Sequence, residues 1–294
     1  MHLGLARTAL LGWLRARSLG GAFVIRIEDI DGPRVVKGAA EALLDDLRFL
    51  GLDWDEGPDV GGPFAPYVQS ERLDRYADAL ASLRARERVY RCSCSRKDVA
   101  IASAPHGPTE FGPVYAGTCR EGPQRPDAPC ALRLRVDALP AFVDGVLGDV
   151  VPSARGDFVV QRADGTVSYQ LAVVVDDVAM GITEVLRGED LAGCTGWQLA
   201  LYEALGARAP AFVHVPLLCD ASGKRLAKRD GAQSIAVLRA RGVAPEVLVG
   251  ALAASAGIVP PGTRVAARAL VRDFALGTIR DVPLDWASLI SAPR

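Results

Sequence analysis

Three short stretches of this 294-residue chain carry side chains that could bind and activate a nucleotide. His2-Leu-Gly-Leu5 opens an apolar periodic segment, Arg26-Ile-Glu-Asp-Ile-Asp31 closes an apolar run, and Lys224-Arg-Leu-Ala-Lys-Arg229 places four cations in six residues just before Gly231. An imidazole and a glycine at a helix start suit phosphate, because glycine lets the backbone approach closely and free N–H groups attract anions. His2 could equally be an ordinary polar residue at a frayed terminus. Beyond the carboxyl end of a strand, Glu28 could receive an ammonium group, whereas Asp29 and Asp31 could instead cap a helix or pair with Arg34. The four cations can cover a triphosphate and stabilise charge on departing pyrophosphate, or simply form a solvated turn.

A separate cluster reads as metal chemistry. Cys92-Ser-Cys94 followed by Tyr115-Ala-Gly-Thr-Cys119 offers three thiolates and a phenol. Three soft ligands favour zinc, which takes four in a tetrahedron. The fourth ligand could be Tyr115, His106 or water, and general ligand preference favours His106. Reduced, metal-free thiols are the competing reading. Cys130, Cys194 and Cys219 stand apart and are expected to pack.

These residues need elements to position them. Leu3 to Leu19 has helical spacing with Gly20-Gly21 as a stop, and Ala22 to Ile27 is an apolar run expected to be a strand covered on both faces. Val36 to Leu50 and Glu71 to Arg86 are expected helices, and Val89 to Cys94 a strand entering a Pro-, Gly- and Cys-rich region that ends near 155. Asp157 to Gln161 and Thr166 to Leu171 flank Asp164-Gly165 as a hairpin, while Val173-Val-Val175 fits a strand or a short buried helix. Strands are expected over 182–186 and 211–218. Helices are expected over 196–205, 235–241 and 245–256. The alternation describes a doubly wound α/β domain.

Composition limits the partners. With 34 Lys+Arg against 35 Asp+Glu, the formal charge of −1 provides no whole-molecule field for nucleic acid, so any RNA contact must use a local patch. Nothing indicates DNA. No segment approaches the roughly 18 consecutive apolar residues of a membrane helix, and the first residues lack a secretion signal, so a cytoplasmic, reduced environment is expected.

In order and spacing, the three nucleotide-binding stretches resemble the class I aminoacyl-tRNA synthetases, in which a His-Ile-Gly-His-type element and a Lys-Met-Ser-Lys-Ser-type loop bind ATP together. His-Leu-Gly-Leu-Ala-Arg-Thr-Ala-Leu, Arg-Ile-Glu-Asp-Ile-Asp, Leu-Ala-Val-Val-Val-Asp-Asp and Gly-Ile-Thr-Glu-Val-Leu-Arg-Gly-Glu-Asp look like the glutamyl branch. The resemblance implies that Glu28, Tyr169 and Arg187 bind L-glutamate. It also implies that His2, Gly4 and Lys228 bind ATP, with Mg²⁺, and form the catalytic set. A phenol suits such a pocket, and a guanidinium can grip a carboxylate with two parallel hydrogen bonds. Leu5 stands where the second histidine of the first element would be, and Ala227 where a loop serine is usual.

The Cys-x-Cys…Tyr-x-x-x-Cys spacing is similar to that of the small glutamyl-queuosine tRNA(Asp) synthetases, and this implies structural zinc on Cys92, Cys94, Tyr115 and Cys119. Only about sixty residues follow Lys228, too few for the anticodon-binding region of a complete glutamyl-tRNA synthetase. The implied acceptor is then queuosine at the wobble position of tRNA(Asp). A glutamyl-tRNA synthetase fragment and a non-catalytic tRNA-binding paralogue are the alternatives. The expected organisation is a Rossmann-like catalytic domain in two halves, 1–91 and 156–234, around a zinc-binding insertion, 92–155, with a helical region, 235–294. Relatives of this kind carry a strand and a Pro-Ser-containing loop ahead of His2, so the first strand is expected to be missing from the chain.

Overall fold

The computed structural model describes residues 1–32, 35–103, 108–109, 111–219 and 234–286. In chain order the elements are α1 (Leu3–Ser18), α2 (Ala39–Phe49), α3 (Leu73–Ala85), β1 (Val89–Cys92), α4 (Arg96–Ser103), β2 (Pro108–Thr109), β3 (Gly112–Pro113) and β4 (Ala131–Leu134). After these come β5 (Phe142–Asp144), β6 (Gly148–Val150), β7 (Phe158–Gln161), α5 (Tyr169–Ala179), β8 (Glu184–Gly188), α6 (Thr195–Leu205), β9 (Ala211–Val215), α7 (Ile235–Ala240) and α8 (Pro245–Ser255).

Helix α1 forms because Leu3, Ala6, Leu10, Leu11, Trp13 and Leu14 make one apolar stripe, and all are buried. The stripe packs on β8 and α8. Helix α8 is apolar on nearly every side, starts with Pro245 and is enclosed throughout its last two turns, as an all-round apolar helix must be. Each of these leucines, fully enclosed, contributes about 1.5–3 kcal/mol. That makes α1 a fixed wall for whatever its neighbours build. A second apolar cluster joins α3, α5 and α6 to β4, β7 and Phe212.

The doubly wound α/β character rests on β8 and β9, which pair in parallel with Arg187 opposite His214. Single parallel bridges join Val24 to Glu56 and Ile27 to Val68. A three-stranded antiparallel sheet in the order β1-β4-β7 carries the Cys-rich region, and the β5–β6 hairpin docks on β9 through Gly145 N–H donating to Phe212 O at 2.9 Å.

Two elements differ from expectation. Ala22 to Ile27 does not make a regular strand: Ile25 and Ile27 donate to Glu56 O and Tyr67 O, both at 2.9 Å, and its residues are half-buried or exposed rather than enclosed. Its other side lines a cleft. Only the first residues of the expected strand 166–171 pair, through Val167 and Gln161, before the chain turns into α5. Ser168 causes the switch, its hydroxyl accepting from Leu171 N–H at 3.3 Å as an N-cap. Val173 to Val175 accordingly lie in a helix, fully enclosed, where burial outweighs their strand propensity.

Candidate functional site

A cleft of about 1400 Å³ lies between α1, residues 21–29, α2, α5 and β8. Glu28, Tyr169 and Arg187, far apart in sequence, all line it. The sequence therefore named three residues that the fold brings to one cavity.

Each is aimed by a different device. Arg26 Nη2 donates to Glu28 Oε1 at 3.0 Å, while Nη1 of the same guanidinium donates to Asp177 Oδ1 at 2.8 Å. Burial alone would lower the Arg26 pKa, but Asp177 and Glu28 outweigh it and raise it above its ordinary value. Glu28 thus sits on a permanently charged, anchored cation. Tyr169 is the first residue of α5 rather than part of a hairpin, and it opens onto the cleft. Burial pushes its phenol up to about 12, with the negative charge of Glu28 adding and Arg187 opposing. The phenol is a neutral donor and acceptor between two opposite charges.

Arg187, on β8, is 9% exposed. Its Nε donates to His214 Nε2 at 3.0 Å and its Nη2 to Thr195 Oγ1 at 2.8 Å, and the guanidinium lies 5.1 Å from the Phe212 ring centroid. Nη1 has no hydrogen-bond partner among the described residues. A buried guanidinium with one edge held, on a residue that lines a cavity, is suited to a carboxylate ligand. His214 and Asp144, which accepts from His214 Nδ1 at 2.7 Å, went unnoticed in the sequence. Histidine inside the apolar run Ala211 to Val215 was the available signal, since a buried imidazole needs partners.

His2 and Gly4 stand at the start of α1, where His2 is the N-cap and its Nδ1 accepts from Leu5 N–H at 3.1 Å. A Cβ on Gly4 would lie 3.3 Å from that nitrogen, so the residue keeps the helix entry open. Neither lines the cleft, although Met1 and Leu5 beside them do. Lys228 and the rest of the cationic loop, with Arg34 and His106, fall outside the described residues. Asp29 takes a structural role, accepting from Ser70 N–H at 2.8 Å and Ser70 Oγ–H at 2.6 Å. Asp31 approaches Arg162 at 3.7 Å.

The cysteine cluster assembles from the end of β1 and the chain that follows β3. Cys92, Cys94 and Cys119 place their sulfurs within 4.8 Å of one another, with Cys94 and Cys119 3.5 Å apart. Zinc–sulfur bonds of about 2.3 Å in a tetrahedron hold sulfurs about 3.8 Å apart, so the set fits with little movement. Tyr115 Oη lies 3.4 Å from Cys92 Sγ and 4.0 Å from Cys94 Sγ, in the position of a fourth donor, and accepts from Cys119 N–H at 2.8 Å. Arg133 crosses the Tyr115 ring at 3.8 Å and donates to Cys92 Sγ at 3.3 Å, offsetting the negative charge that three thiolates would bring. Burial opposes ionisation of Cys119, yet hydrogen bonds from the Gln124 backbone and Tyr115 bring it down to about 6, whereas burial and Cys119 push Cys94 up to about 12.

Comparison with known proteins places these features in context. The family model for the catalytic domain of class I tRNA synthetases (E and Q) matches residues 1–269. The Glutamyl-Q tRNA(Asp) synthetase of Symbiobacterium thermophilum is 52% identical over 295 residues, covering 97% of this chain and 91% of that protein. That of Nitratidesulfovibrio vulgaris is 50% identical over 277 residues, covering 88% of this chain and 84% of that protein. Among solved structures, the glutamate-tRNA synthetase of Elizabethkingia anophelis superposes with a TM-score of 0.84 at 28% identity, over 99% of this chain. The chain spans 66% of that synthetase's length.

Proposed function

The chain belongs to the class I tRNA synthetases of the E and Q branch, within the glutamyl-Q tRNA(Asp) synthetase group, and on that premise we propose that this ligase activates L-glutamate with ATP and transfers it to queuosine at the wobble position of tRNA(Asp). The observation that carries the reading is the convergence of Glu28, Tyr169 and Arg187 on one cleft. An α-ammonium group binds Glu28, and Tyr169 orients the ligand between the two charges. The α-carboxylate is the nucleophile, so the side-chain carboxylate is the one left for Arg187 to grip.

The chemistry that follows needs no enzyme nucleophile. An α-carboxylate oxygen attacks the α-phosphorus of ATP in line, a new P–O bond forms, and the bond to the β-phosphate oxygen breaks to release pyrophosphate. Positioning and charge stabilisation lower the barrier. His2, Gly4 and Lys228 are read as the nucleotide-binding and catalytic set, with Mg²⁺ accompanying the phosphates. A hydroxyl of the queuosine cyclopentenediol then attacks the activated carbonyl, forming an ester and expelling AMP. The relatives' names support this acceptor. Among the described residues no helix is long and apolar enough to cross a membrane, and we read the protein as cytoplasmic, with 1–91 and 156–234 as the two catalytic halves.

The test is labelled-glutamate incorporation into aspartate tRNA with and without queuosine. Labelling is expected only with the modified tRNA. Equal labelling of both, or labelling of glutamate tRNA instead, contradicts the acceptor assignment.

Zinc on Cys92, Cys94, Cys119 and Tyr115 is read as structural, fixing the fold of the region 92–155. When bound, it supplies a four-way crosslink and no reaction step. Purified protein is expected to contain about one zinc per chain by atomic emission, and Cys119→Ser to lose most of it. Zinc-free wild-type protein with unchanged thermal stability would remove the assignment.

A further inference from the structure

Arg187 is held from behind by a chain of two buried groups, His214, 27 residues away in sequence, and Asp144, 70 residues from His214. Asp144, 4% exposed at the end of β5, accepts N–H bonds from Val146 at 2.9 Å, Leu147 at 3.0 Å and the His214 backbone at 3.1 Å. Its second oxygen meets His214 Nδ1 at 2.7 Å. His214 is fully enclosed, stacked at 12° on Phe212 and flanked by Phe142, and its Nε2 meets Arg187 Nε.

Donor and acceptor chemistry leaves one arrangement. A carboxylate can only accept, so His214 Nδ1 carries the proton. A guanidinium can only donate, so His214 Nε2 must present its lone pair. Burial would raise the Asp144 pKa, but the N–H groups of Leu147, Val146 and His214 hold it below the usual carboxylate value. Burial also lowers His214 below its ordinary value, against the pull of Asp144, consistent with a neutral ring. With the opposite tautomer, two N–H groups would face each other across 3.0 Å.

We propose that Asp144 and His214 are positioning residues that select the imidazole tautomer needed to clamp Arg187 Nε, so that the substrate carboxylate is gripped end-on by Nη1 and Nη2. The inference rests on Arg187 being the carboxylate ligand. The side-on edge, Nε with Nη2, is consumed by His214 and Thr195, and only the end-on edge remains. Thr195 completes the clamp: its hydroxyl lies 3.1 Å from Leu191 O as a donor and accepts from Nη2. The relay thereby sets both the direction and the depth at which a carboxylate can dock.

Asp144→Asn is the discriminating variant. The amide oxygen can keep the N–H bonds of Val146 and Leu147, so the hairpin is retained, while the amide nitrogen facing Nδ1 forces the proton onto Nε2. The KM for glutamate in pyrophosphate exchange is expected to rise about tenfold, as for loss of one well-placed hydrogen bond to a charged group, with the KM for ATP unchanged. The chain has three histidines, so ring ¹⁵N shifts can be assigned to His214. A protonated Nδ1 and bare Nε2 are expected in the wild type, and the reverse in the variant. His214→Asn, which keeps a donor toward Asp144 but no acceptor for Arg187, is expected to match the kinetic defect.

An Nε2–H tautomer in the wild type would overturn the proposal without any variant. Arg187→Lys raising the glutamate KM while Asp144→Asn does not would overturn the relay alone. Arg187→Lys with an unaltered glutamate KM would overturn the carboxylate-ligand reading, and the relay with it.

Discussion

Arg187→Gln is expected to reduce kcat/KM for glutamate in pyrophosphate exchange by roughly 30- to several-thousand-fold, corresponding to about 2–5 kcal/mol for truncating one side of a buried charge pair. Glutamine keeps an amide that can reach part of the same space but brings neither the charge nor the fork. The loss has two sources. The substrate carboxylate would enter a low-dielectric pocket without its counter-charge, and His214 Nε2 would lose the donor now 3.0 Å away. Because Arg187 is read as the ligand of the glutamate carboxylate and not of the nucleotide, the KM for ATP should change little. A glutamate KM and kcat within threefold of wild type would remove Arg187 from the pocket's function.

The largest stability effect is expected at Asp176 on α5, a position outside the lining of the cleft. Its carboxylate is fully enclosed and accepts from Arg72 Nε at 2.6 Å, Tyr76 Oη at 2.9 Å and Gln69 Nε2 at 2.9 Å. Arg26 Nε lies 3.6 Å away. Burial, then the charge of Asp176, raises the Tyr76 phenol well above its ordinary value, so it remains a donor. Asp176→Ala would strand the Arg72 guanidinium, which has no solvent exposure, and the cost of breaking such a pair is about 3–5 kcal/mol. Against a typical total of about 5–15 kcal/mol, that is roughly a fifth or more of the molecule's stability. Urea denaturation should show the midpoint falling without a change in slope. Replacing Arg72 by methionine in the same chain should recover part of the loss, since the stranded charge is then gone. A loss under 1 kcal/mol would mean that water reaches the network.

What could be read from the sequence follows the range of the forces involved. Helices α1, α6 and α8 were legible because their apolar spacing and stop residues are local, with Gly206 at φ 69° closing α6. The cysteine cluster was legible for the same reason: Cys92, Cys94, Tyr115 and Cys119 lie within one short region and meet in one small apolar pocket. Glu28 was visible as an acid following an apolar run. The regular strand expected over 22–27 did not form, because a ladder depends on neighbours that the run itself does not specify. The start of α5 was misread because alternation into Tyr169 looked like a strand arm, and a single Ser168 hydroxyl decided otherwise. Arg26, Asp144 and His214 were invisible as site residues, since their partners lie far away in sequence and no periodicity marks them.

The β5–β6 hairpin has a consequence for transplantation. By sequence it travels with the Cys-rich region, yet its Asp144 and Gly145 grip β9, the strand beside Arg187. A cassette cut at 92 and 155 would carry the far end of the arginine clamp away with it. Grafting another synthetase's insertion into this scaffold would therefore need an acceptor restored at position 144, or, on the relay proposed above, the host's KM for glutamate would rise while its own pocket sequence stayed untouched.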